Sequence, residues 1–234
     1  MEYQKQFIQI VKLMAKADSE LQVFSDFTKV MAANIATAIP PVPSIISSIN
    51  HEEIMNRYGS KPENNFAQLQ ALVFEAFQYE KAQDFLGSVY MNLNAGRENR
   101  GQFFTPYNLA EATVRSSLPS VKKVIKEKGY VVLSEPCLGA GAMMIAAASE
   151  LQRQGIDHTR CVWFEGQDID RMAAFCGYIQ TSVIGLSGRV IIADTLSYPS
   201  GQGISIDESK SNILYTPMAH QSCWETRFAK LKVR

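Results

Sequence analysis

The chain has 234 residues, 46% of them hydrophobic and 20% charged, so it can bury one sizeable core, or one core and a smaller helical domain. Lys and Arg together number 23, as do Asp and Glu, so the net charge gives no general attraction for nucleic acid. We see neither a signal peptide nor an apolar run of membrane-spanning length, which predicts a cytoplasmic protein with no membrane segment.

Cysteine and histidine usage argues against disulfides and metals. The cysteines show no CxxC spacing and mostly sit in apolar segments, which predicts reduced core thiols. The histidines are isolated from one another and from the cysteines, so no metal site is predicted. These residues are Cys137, Cys161, Cys176 and Cys223, and His51, His158 and His220.

The first ~95 residues show apolar side chains at helical spacing and no strand signal. Helices are predicted at 3–38, with a cap at Asp18 or Ser19, at 51–58, and at 66–77 with a continuation into 84–93. A proline cluster at 40–43 marks a turn between the first two of these regions. We assign this helical unit to core packing and give it no chemistry.

The segment Gly96–Pro106 connects this unit to the remainder of the chain. Glycines and a terminal Thr-Pro predict an ordered loop that enters a helix near Tyr107. On the residues alone, a plain connector whose aromatic pair, Phe103 and Phe104, fills a gap is the favoured interpretation.

From Tyr130 onward, strand and helix patterns alternate. Continuous apolar strands are predicted at 131–135, 161–165, 190–193 and 211–215, with helices through 144–151 and 172–183. Such βα units predict a parallel sheet of about four strands, covered by helices on both faces.

The first of these strands runs into a glycine-rich turn. Glu135 and Pro136 end the strand, Gly139 and Gly141 follow, and a helix of small residues begins. This arrangement lets backbone N–H groups approach a ligand with anionic and polar groups. Met144 replaces the third glycine of a GxGxxG fingerprint, so adenosine is favoured over a dinucleotide.

Polar side chains follow the strands at the edge where open α/β sheets bind ligands. After Glu135 come Asp168 or Asp170, then Asp194, and finally Tyr215. A carboxylate on the second strand suits two ribose hydroxyls, and Asp194 could accept from an exocyclic amino group. The alternative for each acid is a helix N-cap or a strand-end salt bridge.

Five stretches in order make the chain resemble the N6-adenine DNA methyltransferases, in particular modification subunits of type I restriction–modification systems and their phage or plasmid relatives. Residues 84–90 resemble the helix that closes the family's N-terminal helical domain. Residues 101–106, Gly-Gln-Phe-Phe-Thr-Pro, are similar to the GQFYTP motif, and Glu135–Gly141 looks like DPxxGxG with Glu for Asp. Residues 166–170 and 194–196 resemble the ribose and adenine segments.

The resemblance implies an α/β fold with a Rossmann-like, truncated S-adenosylmethionine-dependent methyltransferase sheet. An N-terminal helical domain would span 1–100 and the α/β domain 101–234. The implied cofactor is S-adenosylmethionine, with Thr105 and Pro106 at its methionine end. The implied cofactor-binding residues are Thr105, Pro106, Glu135, Pro136, Gly139, Gly141, Asp168, Ile169, Asp194 and Leu196.

The chain departs from the family at the catalytic motif. Tyr215-Thr216-Pro217-Met218 stands where the family has Asn/Asp-Pro-Pro-Phe/Tyr, so the implied catalytic residues, Tyr215 and Pro217, form a degenerate motif. Tyrosine does not reproduce a short amide or carboxylate acceptor, and methionine offers a poorer stacking face.

Three functional hypotheses follow. The first is methyl transfer from S-adenosylmethionine to adenine N6 in DNA. The second is a non-catalytic relative of the methyltransferases. It would bind the cofactor together with a partner subunit or DNA and serve in regulation or anti-restriction. The third gives the glycine-rich turn a packing role only.

DNA and a second protein chain are the two candidate partners. DNA would need a local basic patch, and the C-terminal residues Arg227, Lys230, Lys232 and Arg234 are the candidate, although a solvated end is the favoured interpretation. An incomplete sheet has an exposed edge, which favours pairing with a second copy or a partner subunit.

Overall fold

The computed structural model of the protein describes residues 2–15, 19–59, 61–94, 103–198 and 212–232. Over these ranges it shows a helical N-terminal region followed by a four-stranded sheet with flanking helices. The helices are α1 (Glu2–Met14), α2 (Glu20–Thr37), α3 (Ser44–Ser47), α4 (His51–Arg57), α5 (Pro62–Tyr79), α6 (Phe85–Asn94), α7 (Tyr107–Lys128), α8 (Ala142–Arg153), α9 (His158–Cys161), α10 (Arg171–Val183) and α11 (Ser222–Lys232). The strands are β1 (Val131–Glu135), β2 (Val162–Asp168), β3 (Ser187–Ile192) and β4 (Ile213–Tyr215).

The N-terminal helices pack around aromatic side chains. The Phe7 ring meets Phe24, Phe27 and Phe85 edge to face, at centroid distances of 6.3, 5.0 and 5.7 Å. The Ser19 hydroxyl caps α2 by accepting from a backbone N–H, as one of the two predicted caps requires. The prediction of an all-helical N-terminal region is confirmed over the described residues.

The predicted continuation of the helix at 66–77 into 84–93 is wrong. The backbone turns extended at Glu80, and the Gln83 amide donates to the carbonyl oxygens of Ala76 and Glu80, both at 2.7 Å. The Asp84 carboxylate then accepts from the Gly87 N–H at 2.9 Å in the first turn of α6. These side chains satisfy backbone groups at the break, so two helices replace one.

The sheet has the strand order β1-β2-β3-β4, with β1, β2 and β3 parallel. Glu135 pairs with Gly166, and Asp168 at the end of β2 pairs with Ile192. β2 is therefore longer than predicted and includes the segment Gly166–Asp168. Among the described strands, β1 pairs with β2 alone.

The prediction of an all-parallel sheet is wrong for β4, which runs antiparallel to β3. A parallel partner needs a crossover connection, usually a helix, but the sequence between β3 and β4 is polar and rich in Gly and Ser. Tyr215 pairs with Arg189 in the middle of β3, and the Thr216 N–H donates to the Gly188 carbonyl oxygen at 3.0 Å. The chain thus leaves β4 toward the amino edge of β3, so the predicted position of Tyr215 at the carboxyl edge is wrong.

Helices cover both faces of the sheet, as predicted. Phe164 and Val190 share a core with residues of α8 and α10, whereas Trp163, which points to the opposite face, packs against Trp224 and Phe228 of α11. The first core is continuous with the N-terminal helices, because α2 packs against α10. The domain boundary at residue 100 stays a prediction.

Arg227 has a packing role in the described C-terminal segment. Its guanidinium lies 4.6 Å from the Trp224 ring centroid and 5.1 Å from that of Tyr130, and it donates to the Arg160 carbonyl oxygen. Arg227 is thus half-buried, and its guanidinium packs against aromatic rings as well as bonding the backbone. The side chains of Lys230, Lys232 and Arg234 lie outside the described residues.

The sequence predicts no membrane-spanning segment, and the lengths and compositions of the helices bear on this prediction. Over the ranges given above, none of the helices combines the length and apolar character that crossing a bilayer requires.

Candidate functional site

The turn between β1 and α8 has a backbone that glycine alone adopts easily. Gly139 has a φ of 55° and Gly141 a φ of 92°, both in the left-handed region. The Gly141 N–H donates to the Leu138 carbonyl oxygen at 2.9 Å, and Gly141 also forms the N-cap of α8. The predicted strand, glycine-rich turn and helix N-terminus are therefore present.

The Leu138 side chain fixes this turn to the sheet. It is 4% exposed and lies between Gly166 of β2 and Gly177 of α10. A Cβ atom on Gly166 would be 2.7 Å from a Leu138 methyl group, and one on Gly177 would be 2.6 Å away. The Leu138 N–H also donates to the Gln167 carbonyl oxygen at 2.8 Å. Both glycines are thus required where they stand.

The two acids at the carboxyl end of β2, Asp168 and Asp170, have different hydrogen-bonding roles. Asp168 accepts from the Gly139 N–H at 2.8 Å and from the Asp170 N–H at 2.9 Å, one on each carboxylate oxygen. Asp170 is the N-cap of α10, and its side chain accepts from the Ala173 N–H at 2.8 Å. The N-cap alternative therefore holds for Asp170, whereas Asp168 faces the turn and keeps a further lone pair on each oxygen.

The loop after β3 closes onto the other two loops. The Thr195 hydroxyl donates to the Pro136 carbonyl oxygen at 2.5 Å, and the Ala193 N–H donates to the Asp168 carbonyl oxygen at 3.1 Å. Asp194 accepts from the Ser197 hydroxyl at 2.8 Å and from the Leu196 N–H at 3.0 Å. These hydrogen bonds lower the pKa of Asp194 below its usual range, and the bond from Ser197 has the largest effect.

Glu135 sits at the end of β1 in a less polar setting. A cavity of about 140 Å³, lined largely by apolar side chains of β1, α7 and α8, opens beside it. Burial raises the pKa of the Glu135 carboxyl, the Cys137 N–H opposes this by donating at 3.3 Å, and the neighbouring Asp168 raises the pKa further.

Two apolar side chains stand exposed next to the acids. Ile169, beside Asp168, is 71% exposed, and Leu196, beyond Asp194, is 93% exposed. Large apolar side chains this exposed are available for contact with a flat apolar ligand surface.

The predicted loop before α7 also reaches the turn. The Phe104 ring is 4.9 Å from the Tyr90 ring, and a Cβ atom on Gly139 would lie 3.3 Å from it. Thr105 is exposed, and Pro106 is the N-cap of α7. Phe104 thus fills a gap against the turn, as the connector interpretation predicted, whereas the other member of the pair, Phe103, is 80% exposed and does not. Gly101 and Gln102 lie outside the described residues.

The structure does not bring Tyr215 and Pro217 to this edge. β2 and β3 lie between β4 and β1, a lateral separation of about 14 Å at the usual strand spacing. The Thr216 hydroxyl donates to the Leu186 carbonyl oxygen at 2.7 Å, and the Met218 carbonyl oxygen accepts from the Ser187 hydroxyl at 3.1 Å. In this structure the segment packs β4 and the 3-10 helix that follows it, Pro217–His220, onto β3.

Sequence reasoning missed three contributors to the turn: the glycine pair around Leu138, the Thr195 bond and the Gln180 side chain described below. Gly166 inside a strand and Gly177 inside a helix were the available signal, because an interior glycine often marks a close approach. As for metals, the described residues contain no group of three or more His, Cys, Asp or Glu side chains placed to hold an ion.

The model of the family described as N-6 DNA Methylase matches residues 81–230, well over half of the chain. No curated protein gave a match.

Two solved structures are similar in fold. One, from Listeria monocytogenes and assigned as a class I S-adenosylmethionine-dependent methyltransferase, has a TM-score of 0.56 at 14% identity, over 86% of this chain and 56% of that one. The other, a type I restriction–modification system methyltransferase subunit from Streptococcus thermophilus, has a TM-score of 0.42 at 17% identity, over 84% of this chain and 41% of that one. The chain therefore spans about half the length of these structures, and the first supports the predicted methyltransferase-like α/β fold.

The packing of Leu138 can be tested with a double-mutant cycle. Gly166→Ala places a methyl group against Leu138. Because Gly177 of α10 lies against the other side of Leu138, the leucine has no room to move away, and we expect a loss of about 1–3 kcal/mol in the free energy of unfolding. Leu138→Ala alone is expected to cost about 2–5 kcal/mol. In the double variant the new methyl group enters the space that the leucine leaves, so the combined cost should fall short of the sum. Urea denaturation measures all three, and strictly additive costs would contradict this packing.

Proposed function

Because the chain belongs to the N-6 DNA methylase family, we propose that it binds S-adenosylmethionine at the carboxyl edge of the sheet. The observation that carries the proposal is the closure of three loops on one another there. The Gly139 N–H donates a hydrogen bond to the Asp168 carboxylate, and the Thr195 hydroxyl donates one to the Pro136 carbonyl oxygen. The glycine-rich turn, the end of β2 and the loop after β3 therefore form one surface.

The donor and acceptor groups of this surface match the cofactor. Asp168 offers acceptor oxygens for the two ribose hydroxyls, and Asp194 offers one for the adenine amino group. Ile169 and Leu196 supply apolar contact for the adenine ring. Gly139 and Gly141 let the backbone come close to the methionine portion, at whose end the family resemblance places Thr105 and Pro106.

The charges match as well. S-adenosylmethionine carries a sulfonium cation, Glu135 and Asp168 end β1 and β2, and Asp194 follows β3 by two residues. Carboxylates grouped at one edge favour a cationic ligand. When bound, the cofactor supplies an activated methyl group, and the residues of this chain hold and orient it.

DNA adenine N6 is the acceptor that the family suggests. Transfer requires the amino group in line with the methyl group and an acceptor for the amino proton beside it. Tyr215–Met218 lies across the sheet from the turn, so this segment is not suited to that task. The separation favours the second candidate: a relative that binds cofactor but does not transfer the methyl group by itself, and acts with DNA or a partner subunit.

Cofactor binding can be tested by calorimetry on the purified chain. Asp168→Ala removes acceptors of at least two charge-assisted hydrogen bonds to ribose, at about 1.5–3 kcal/mol each, so we expect affinity to fall by about 100-fold or more. Asp157→Ala is the matched control, because Asp157 caps α9 and its loss should leave affinity unchanged. Absence of binding by the folded parent chain would refute the proposal.

The Glu135 carboxyl should give the affinity a pH dependence. Burial holds its pKa above the ordinary 4.5 in the ligand-free protein, and the bound cation favours the ionised form, so binding lowers that pKa and releases a proton. The affinity for S-adenosylmethionine should therefore rise as the pH increases from 4.5. It should level off at the pH where Glu135 is already ionised in the ligand-free protein. In Glu135→Gln this rise should disappear. Calorimetric titration of both proteins with S-adenosylmethionine at several pH values checks this prediction. The same rise in the variant would show that another group is responsible.

Methyl transfer is tested on the same sample. With methyl-labelled S-adenosylmethionine and mixed-sequence DNA, we expect cofactor binding without label in the DNA, because Tyr215–Met218 is remote from the turn. Robust labelling by the unaltered chain would instead establish the enzyme and exclude the non-catalytic candidate.

A further inference from the structure

The Gln180 side chain connects three parts of the fold. It is fully buried in α10. Its amide nitrogen donates to the Ala140 carbonyl oxygen at 2.7 Å and to an Asp84 carboxylate oxygen at 2.8 Å. Its amide oxygen accepts from the Leu86 N–H at 3.0 Å. One carboxamide thus joins the glycine-rich turn, α10 and the first turn of α6.

The orientation of this carboxamide follows from its partners. The Leu86 N–H can only donate, and the Ala140 carbonyl can only accept, so a flipped amide would put like groups together at both positions. Both amide hydrogens and the amide oxygen are therefore used, and each partner is a buried group with few alternatives. Unpaired groups of this kind are costly in a protein interior.

The α6 side of the connection is equally constrained. Asp84 is buried and accepts from both Gln180 and the Gly87 N–H on the same oxygen. A Cβ atom on Gly87 would lie 2.0 Å from the other Asp84 oxygen, so glycine is required there. This packing leaves Asp84 one position, from which it reaches Gln180.

On the turn side, the contact fixes a peptide plane. The Ala140 carbonyl is held by Gln180, and the N–H of the same peptide, on Gly141, donates to the Leu138 carbonyl oxygen at 2.9 Å. Because a trans peptide is planar, these two bonds hold the unit at opposite ends. The left-handed conformation of Gly141, and with it the start of α8, depends on this plane.

We propose that Gln180 is a positioning residue of the cofactor site, which clamps the Ala140 carbonyl to the first turn of α6 and so couples the N-terminal helices to the glycine-rich turn. This inference rests on the proposed function, in which that turn holds S-adenosylmethionine. Gln180 does not contact the ligand; it keeps the turn in the conformation that binds it, so that ordering the turn costs no affinity.

Hydrogen exchange on the ligand-free chain tests the clamp directly. In Gln180→Met the side chain keeps its length but loses all three hydrogen bonds, so amides of residues 138–143 should exchange about 10-fold faster or more, while those of β2 and β3 keep their rates. Tyr178→Phe is the matched control. It removes a buried hydroxyl on the same helix that bonds the Tyr215 carbonyl oxygen at 3.2 Å, away from the turn, and should leave exchange in the turn unchanged.

Cofactor affinity is the second measurement. Gln180→Met should weaken S-adenosylmethionine binding about 10-fold or more, and Tyr178→Phe should change it by less than about twofold. Should Gln180→Met fail to fold, Gln180→Asn serves, since its amide is one methylene too short to reach all three partners and the same local changes are expected.

Two results would overturn the proposal: exchange in the turn that stays at the parent rate, or exchange that accelerates equally in the turn, β2 and β3. The first would show that Gln180 does not hold the turn, and the second that it acts only through overall stability. If the parent chain does not bind S-adenosylmethionine, the proposed function fails, while the exchange data still decide whether the clamp exists.

Discussion

The fold of the site depends on the close approach of one side chain to two backbones. Leu138 can lie under the glycine-rich turn because Gly166 and Gly177 leave room for it in β2 and α10. That position draws the turn over the end of β2, where Asp168 can accept from the Gly139 N–H. A Cβ atom at either glycine would come within 2.7 Å of the Leu138 side chain, so a larger residue there would displace the leucine that holds the turn over β2.

Around this contact, the polar groups of the turn are held by buried or half-buried partners. Asp168 holds Gly139, Thr195 holds the Pro136 carbonyl, and Gln180 holds the Ala140 carbonyl. Because each bond comes from a different part of the chain, the end of β2, the loop after β3 and α10 together hold the conformation that Gly139 and Gly141 allow. A turn ordered in this way before binding adds little conformational cost when a ligand arrives, which favours affinity at a site otherwise open to solvent.

Much of this site could be predicted from sequence because its signals are local. A β-branched strand, paired glycines and a helix of small residues lie within fourteen positions, and the acids follow their strands directly. The contact between Asp84 and Gln180 could not be predicted, since the two residues lie far apart in the chain. The direction of β4 was predicted wrongly, because an apolar strand pattern does not by itself distinguish a parallel from an antiparallel partner. No periodicity marks a glutamine that meets an aspartate 96 positions away. The choice between Asp168 and Asp170 likewise needed the start of α10, which makes the second acid its cap.

The glycine-rich turn and the degenerate motif Tyr215–Met218 lie on different parts of this sheet. The surface that we propose to bind S-adenosylmethionine is built from the parallel strands β1, β2 and β3, whose carboxyl ends meet at one edge. Antiparallel β4 carries Tyr215 away from that edge, and its following residues are used to satisfy β3 and the loop before it. The same pairing that completes the sheet beside β3 therefore removes the degenerate motif from the turn.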